Sequence, residues 1–332
     1  MKIAFTLCSN NYLGAAKVLI QSLKAYHADF KLFIGLVDEL DESVDYSIFG
    51  CTVLTADKIA LPEHIKELSR KFNIVELNTA VKPFYFKHFF FKEGAQQVVY
   101  LDPDIQVFGR MHEVLNGLQS SMLTLTPHML SPVDDQFGPN DYHILRTGIF
   151  NLGFIGLSNH RQLAFFLDWW GDRCMKYGFR KDEAGMFYDQ IWINYVPAFF
   201  DSYYIIKHPG YNAANWNLHE RWFSVDNFER WRVNNIYELV FFHFSHFNIL
   251  SPQKMSTYNS RYNFDNREDV APLFRAYYDK VVANGGIEYK RIVPLYKQFF
   301  EKAEKERLKK YYTFKRKLIN KMTGFMHRII PE

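Results

Sequence analysis

Apolar and polar positions along this chain follow two rhythms. Residues 2–8, KIAFTLC, are a short, nearly continuous apolar run, which predicts a buried strand, and SNNYLG follows as a loop. From residue 14 to 27 the apolar positions Ala16, Leu19, Ile20, Leu23 and Tyr26 recur at helical spacing. KLFIGLVD (31–38) predicts a second strand that ends on an acid, and CTVLTA (51–56) a third. Residues 62–93 predict mostly helix, with an extended break at Val81-Lys82-Pro83, because a residue before proline avoids the α region. QQVVYL, ending at Leu101, then SMLTLTPH (121–128) and GIFNLGFIGLS (148–158) predict three more strands. An amphipathic helix over 160–177 and a short helix over 186–196 follow, and YYIIKH and ELVFFHF predict late strands.

Strands alternating with helices predict an α/β fold with a largely parallel sheet, in which ligands sit at the carboxyl ends of strands. The SNNYLG loop and the end of QQVVYL both lie at such ends. With no internal repeat and no low-complexity linker, the body reads as one continuous domain with an aromatic-rich second half. At 332 residues and 48% hydrophobic, it can bury a sizeable core. No stretch of 18 apolar residues predicts a membrane span. The N-terminus reads as a first strand rather than a signal peptide. Three cysteines, Cys8, Cys51 and Cys174, form no C-x-x-C pair, which fits a reducing cytoplasm and argues against a cysteine zinc site. Charge is uneven: residues 301–332 hold ten of the 40 Lys/Arg and four of the 36 Asp/Glu, a local +6, leaving the body at −2. A near-neutral body with a basic tail is not the pattern of a nucleic-acid binder.

The strand ending at Leu101 runs straight into Asp102 and Asp104, with Pro103 between them. Two carboxylates at i and i+2 can converge on one hard cation, Mg²⁺ or Mn²⁺, shared with substrate phosphates. Proline fixes its own φ and stiffens the turn that aims them. The same tripeptide is also ordinary turn chemistry, and spacing alone leaves both readings open. No G-x-G-x-x-G, G-x-x-x-x-G-K-[ST] or G-x-S-x-G stands in the chain, which removes Rossmann, P-loop and α/β-hydrolase readings.

At these residues a resemblance emerges. Asp102-Pro103-Asp104 looks like the D-x-D motif of bacterial sugar-nucleotide-dependent glycosyltransferases with the GT-A fold. The chain resembles a polysaccharide and lipopolysaccharide biosynthesis group that is itself similar to glycosyltransferase family eight. The similarity runs in order through TLCSNNYLGAAKVLIQSL, AVKPFYFKHFF, TPHMLSP, FNLGFIGLSN, FLDWWGDRC, DQIWINYVPAFF, HPGYNAANWNLHER and FFHFSHF. It implies a GT-A domain over 1–265, with a mixed, largely parallel central sheet flanked by helices, and a C-terminal helical extension over 266–332. It implies Asp102 and Asp104 as ligands of Mn²⁺ or Mg²⁺ bridging the donor's phosphates. His243 matches the third ligand. The motif normally continues with Gly, where this chain has His246, so either histidine could face the metal; His243 is favoured. Thr6, Asn10 and Tyr12 match the nucleotide loop, with Tyr12 placed to stack on the base. Lys82, Asn151 and Gly153 match donor-side positions. Asp189 and Gln190 match the pair beside the anomeric carbon. His128, Asn212, Asn215 and Trp216 are candidates for the acceptor cleft.

The activity this implies is transfer of a sugar from a nucleoside-diphosphate sugar, with UDP the default and GDP open, to a saccharide or lipid-linked acceptor. Retention of configuration follows from the resemblance to family eight; inversion would need a carboxylate base, for which Asp189 is the candidate. A sugar nucleotidyltransferase would need a Gly-rich, basic loop after the first strand, and SNNYLG has one Gly and no Arg. A non-catalytic binder of the same fold is the remaining alternative. The tail adds a partner. On a helix over 311–329, Tyr311, Phe314, Leu318, Met322, Phe325 and Ile329 form one stripe, while Arg316, Lys317, Lys321 and Arg328 fall largely elsewhere. Gly324 weakens that helix by about 1 kcal/mol relative to Ala. A basic amphipathic helix suits an anionic membrane surface, which implies peripheral attachment to the inner face of the cytoplasmic membrane; docking on the body or on a partner chain is the other reading.

Overall fold

β1 (Lys2–Cys8) is apolar on both faces, and the structure buries both. The computed structural model describes residues 1–329, and the side chains of residues 1–319. Successive strand residues point to opposite faces. Ile3, Phe5 and Leu7 therefore enter a core with α2 (Ile65–Lys71), α3 (Ile74–Ala80) and α4 (Lys82–Phe91). Ala4 and Cys8 enter a second core with α1 (Leu13–Tyr26).

β2 (Phe30–Leu36), β3 (Thr52–Thr55), β4 (Gln97–Leu101), β6 (Leu123–Pro127) and β7 (Phe150–Ser158) complete the main sheet with the strand Tyr203–Ile205; the short β5 (Ile105–Val107) belongs to a second sheet. The seven strands run Tyr203–Ile205, β6, β7, β4, β1, β2, β3. β1 pairs in parallel with β2 and β4, whereas β7 is antiparallel to both β4 and β6. The carboxyl ends of β1 and β4 therefore share an edge with the beginning of β7. This is the mixed, largely parallel α/β sheet expected from the sequence.

Two local expectations are corrected. Val81 is helical, at φ −83° and ψ −8°, not extended; α3 closes there and α4 begins at once with Lys82. Pro83 sits in the first turn of α4, where a missing N–H breaks no intrahelical bond. The helix expected over 186–196 is instead a strand pair, Arg180–Lys181 with Met186–Phe187, then a 3₁₀ segment, Ile191–Tyr195, and one α turn, Val196–Phe199. Tyr188 at φ +53° lies in the left-handed region, which interrupts a helix.

From residue 271 to 307 the chain is packed onto the body. Val18 of α1 shares a core with Phe274, Tyr277 and Val281 of the helix Ala271–Ala283. The final helix, Leu295–Ile329, begins where Leu295 N–H donates to Asp38 Oδ1 at 2.9 Å, and it buries Tyr296. Arg307 still reaches the Arg70 carbonyl at 3.3 Å. Beyond it Leu308, Tyr311, Phe314 and Leu318 are exposed. The rest of the expected stripe, Met322, Phe325 and Ile329, and the basic Lys321 and Arg328, lie outside the described side chains. Among the described residues no helix is long and apolar enough to cross a membrane.

Candidate active site

At the end of β4, Asp102 N–H donates to the Gly153 carbonyl at 2.7 Å, and Ile105 N–H closes the turn on the Asp102 carbonyl at 3.1 Å. β5 then pairs antiparallel with Phe241–His243, setting His243 opposite Ile105, and Phe244 N–H donates to the Asp104 carbonyl at 2.9 Å. This pairing brings His243 Nε2 to 3.0 Å from Asp104 Oδ1 and 3.7 Å from Asp102 Oδ2. One ligand atom from each residue lies within 4.8 Å of the others. The side chains of Asp102 and Asp104 are 30% and 22% exposed and that of His243 only 4%, so the acids face the opening and the imidazole backs them. Two carboxylates and an imidazole are a donor set for Mn²⁺ or a similar divalent ion.

His246 stands outside this group and packs its ring against Tyr258 at 4.3 Å. It adopts φ +59°, the left-handed region in which glycine is at ease. Burial raises the Asp102 carboxyl, against the pull of Lys82 and His243. Burial acts the same way on Asp104, but the charge and hydrogen bond of His243 bring it below the usual carboxylate range. Burial alone would lower His243; the two acids outweigh it and raise its pKa. The cluster is therefore a strong attractor of positive charge. Tyr100 donates its hydroxyl to Asp102 Oδ1. The two-residue period of β4, carried one residue past its end, places Tyr100 and Asp102 on one face, a pattern already present in the sequence.

Behind the acids lies a buried ion pair. Lys82 Nζ is 2.7 Å from Asp189 Oδ2, donates to the Leu152 carbonyl at 2.9 Å, and sits 4.2 Å from the centre of the Tyr100 ring. Burial raises the Asp189 carboxyl and Lys82 opposes it. Gln190 is equally engaged: its Oε1 accepts from Leu152 N–H at 2.9 Å and from Asn151 Nδ2 at 3.3 Å, and its Nε2 donates to the Thr147 carbonyl at 2.8 Å. Asn151 Nδ2 also meets His128 Nε2 at 3.1 Å, and its Oδ1 accepts from Gly153 N–H and Asn212 Nδ2, each at 3.1 Å. Burial holds His128 near pKa 4, so its ring is neutral and able to accept there.

Not every expected residue reaches the opening. Thr6 is fully buried, and its hydroxyl has no hydrogen-bond partner among the described residues. Asn10 is spent on Asp38 Oδ2 at 3.0 Å, the Glu39 carbonyl at 2.9 Å and the Tyr46 hydroxyl. Tyr12 is exposed, but Lys290 Nζ lies 3.9 Å from its ring centre. Of the acceptor candidates, Asn212 is fully buried, bonding Thr126 Oγ1 at 3.0 Å, and Asn215 donates to the Ser245 carbonyl at 2.9 Å. Trp216 wedges edge-on between His128 and His243, at 5.3 and 5.2 Å. These residues support the site from behind rather than line an open cleft.

The room Gly153 leaves is taken by His243. A Cβ at Gly153 would lie 2.4 Å from His243 Cε1 and 2.7 Å from its Nδ1. Gly153→Ala is expected to push the imidazole off the acids, lowering the affinity of this cluster for a divalent ion about 10–100-fold and stability by about 1–3 kcal/mol. Calorimetric Mn²⁺ titration and thermal melts check this; unchanged values in both would show that His243 is not held this way.

The sheet order with its antiparallel β7 is that of the GT-A fold. The structure superposes on an active-site mutant of LgtC with a TM-score of 0.50, at 14% identity over 85% of this chain and 96% of that one. For the galactosyltransferase LgtC with donor and acceptor sugar analogs the TM-score is 0.49, at 15% identity, over 89% of this chain and 98% of that one. In sequence the chain is similar to protein YfnD of Bacillus subtilis (strain 168), 25% identical over 259 residues, which is 76% of this chain and 79% of that protein. It is likewise similar to YfnF of the same organism, 25% identical over 256 residues, 74% and 82% of the two chains. No family model matches.

Proposed function

We propose that this protein is a metal-dependent glycosyltransferase that moves a sugar from a nucleoside-diphosphate sugar to a saccharide or lipid-linked acceptor in cell-surface glycan synthesis. The observation that carries the reading is the convergence of Asp102, Asp104 and His243 at the carboxyl edge of the sheet. The group fits Mn²⁺ or Mg²⁺, and a divalent ion held there would act as a Lewis acid toward the charge that grows on the leaving diphosphate. Tyr100 fixes the rotamer of Asp102, and the paired Lys82 and Asp189 fix the floor on which Asn151 and Gln190 are set. The resemblance to family eight supports Asp189 and Gln190 as the pair nearest the anomeric carbon, and UDP as the base carrier.

Retention of configuration is the favoured course. An inverting enzyme needs a free carboxylate beside the acceptor hydroxyl, and the candidate, Asp189, is buried and paired with Lys82. The test is to incubate the full chain with UDP- and GDP-sugars and Mn²⁺, follow nucleotide release, and read the anomeric configuration of the first product by NMR. Metal-dependent release with retained configuration is expected. An inverted product would sink the retaining course, and binding without release would favour a non-catalytic binder of this fold.

The C-terminal helix is assigned to an anionic membrane surface, where lipid-linked acceptors lie. It leaves the body after Arg307 with Leu308, Tyr311, Phe314 and Leu318 exposed at helical spacing beside Lys309, Lys310, Lys315, Arg316 and Lys317. A chain ending at Leu308 keeps the docked part of this helix. It is expected to lose most binding to vesicles containing anionic lipid in a flotation assay. Equal flotation of both chains would remove the assignment.

A further inference from the structure

Lys290 comes from beyond the segment in which the resemblance lies, yet it reaches the site. The short helix Gly286–Lys290 is pressed against the start of α1: a Cβ at Gly14 would lie 2.5 Å from Gly286 Cα. Only glycine permits that approach, and it fixes Lys290 above the nucleotide loop. There Lys290 lines a narrow cleft with Tyr12, Gly14, Asp104, Phe247 and Tyr277. Its ammonium rests on the Tyr12 ring, and it has no carboxylate or hydrogen-bond partner among the described residues. Burial draws its pKa down while the charge of Asp104 draws it back.

A half-buried ammonium facing an acidic centre without a partner of its own is poised for an anion. The charges of the site say which one. Asp102 and Asp104 offset one divalent ion, and Lys82 is already neutralised by Asp189. A diphosphate on that ion would therefore bring negative charge that no other lysine in the cleft meets. We propose that Lys290 binds the phosphates of the nucleotide donor, leaving the face of Tyr12 as they enter, so that the C-terminal helices complete the donor site. This rests on the proposed glycosyltransferase reading. Because Asp104 shares the cleft, an anion there is favourable only when a cation has neutralised the carboxylates, so the binding must be metal-dependent.

The test uses the full chain, with Lys290→Ala, Lys290→Gln and Lys290→Arg. Calorimetry would measure the affinity of UDP, GDP, CDP, dTDP and inorganic pyrophosphate, each with Mn²⁺ and with EDTA, and of Mn²⁺ alone. A hydrogen bond to a charged group is worth about 1.5–3 kcal/mol, so the Ala and Gln variants should bind the preferred diphosphate and pyrophosphate at least about 10-fold more weakly. Mn²⁺ affinity and the ligand-free melting temperature should stay put, and Lys290→Arg should recover part of the loss. A wild-type chain that binds a diphosphate while Lys290→Ala binds it equally well overturns the role of Lys290 and leaves the glycosyltransferase reading standing. A general loss, with a lower melting temperature in Lys290→Gln as well, makes Lys290 structural and also overturns it. No binding of any diphosphate by the wild-type chain with Mn²⁺ removes the glycosyltransferase reading, and this inference with it.

Discussion

Asp104→Asn is expected to abolish Mn²⁺-dependent stabilisation by nucleotides and to cut donor turnover by about a thousandfold or more. The change keeps the shape of the side chain and removes one charge from a centre that holds two. Its fold should survive, because Phe244 N–H holds this turn through the Asp104 backbone carbonyl at 2.9 Å, which the substitution leaves in place. Removing the carboxylate relieves repulsion with Asp102 but also removes the favourable charge contact with His243, so the ligand-free melting temperature should hold or fall slightly. What is lost is the attraction for a divalent ion, whose stabilisation of a developing phosphate charge is worth several kcal/mol, hence the factor in rate. A ligand bound only by the native state raises the melting temperature. In wild type, one nucleoside diphosphate should do so only with Mn²⁺, and in the variant none should. If the shift or the turnover persists in Asp104→Asn, the D-P-D is a turn and no more.

Lys82→Met should cost about 3–5 kcal/mol of stability, the usual penalty for leaving a buried charge without its partner. Both members of the pair are nearly sealed from water, at 2% and 3% exposure. Asp189 would lose its counter-ion at 2.7 Å, and the Leu152 carbonyl its donor. The melting temperature should fall by roughly 5–10 °C. Turnover should fall too, because Gln190 and Asn151 are set on the same floor. The double variant Lys82→Met, Asp189→Leu separates charge from volume: replacing both partners by apolar groups should recover most of the melting temperature and none of the activity. A single variant as stable as wild type would mean that the pair is not buried as described.

The regular elements were legible because their cause is local. Residues 2–8 and 31–38 read as strands from their apolar runs, and 14–27 as a helix from its period, and each appears within a few residues of its expected bounds. The breaks were less legible. Pro83 marked a boundary correctly, but whether Val81 turns or extends depends on how α3 and α4 pack, which the dipeptide does not encode. In the sequence Asp189 stands out only beside Gln190, whereas what holds it is Lys82, far earlier in the chain.

By itself the sequence determined the α/β alternation, the carboxylates at the end of β4 and the basic, amphipathic end of the chain, all set within a few residues. The tertiary structure decided which histidine joins the acids, because that choice is the register of β5 against Phe241–His243. It also decided that Gly153 serves His243, that Asn10 and Asn212 are internal, and that Lys290 stands over Tyr12. The physical reason is common to all of these. Each depends on two distant segments meeting in one register at a few ångströms, and no local pattern of apolar and polar residues fixes such a meeting; the packing of the two cores around the sheet does.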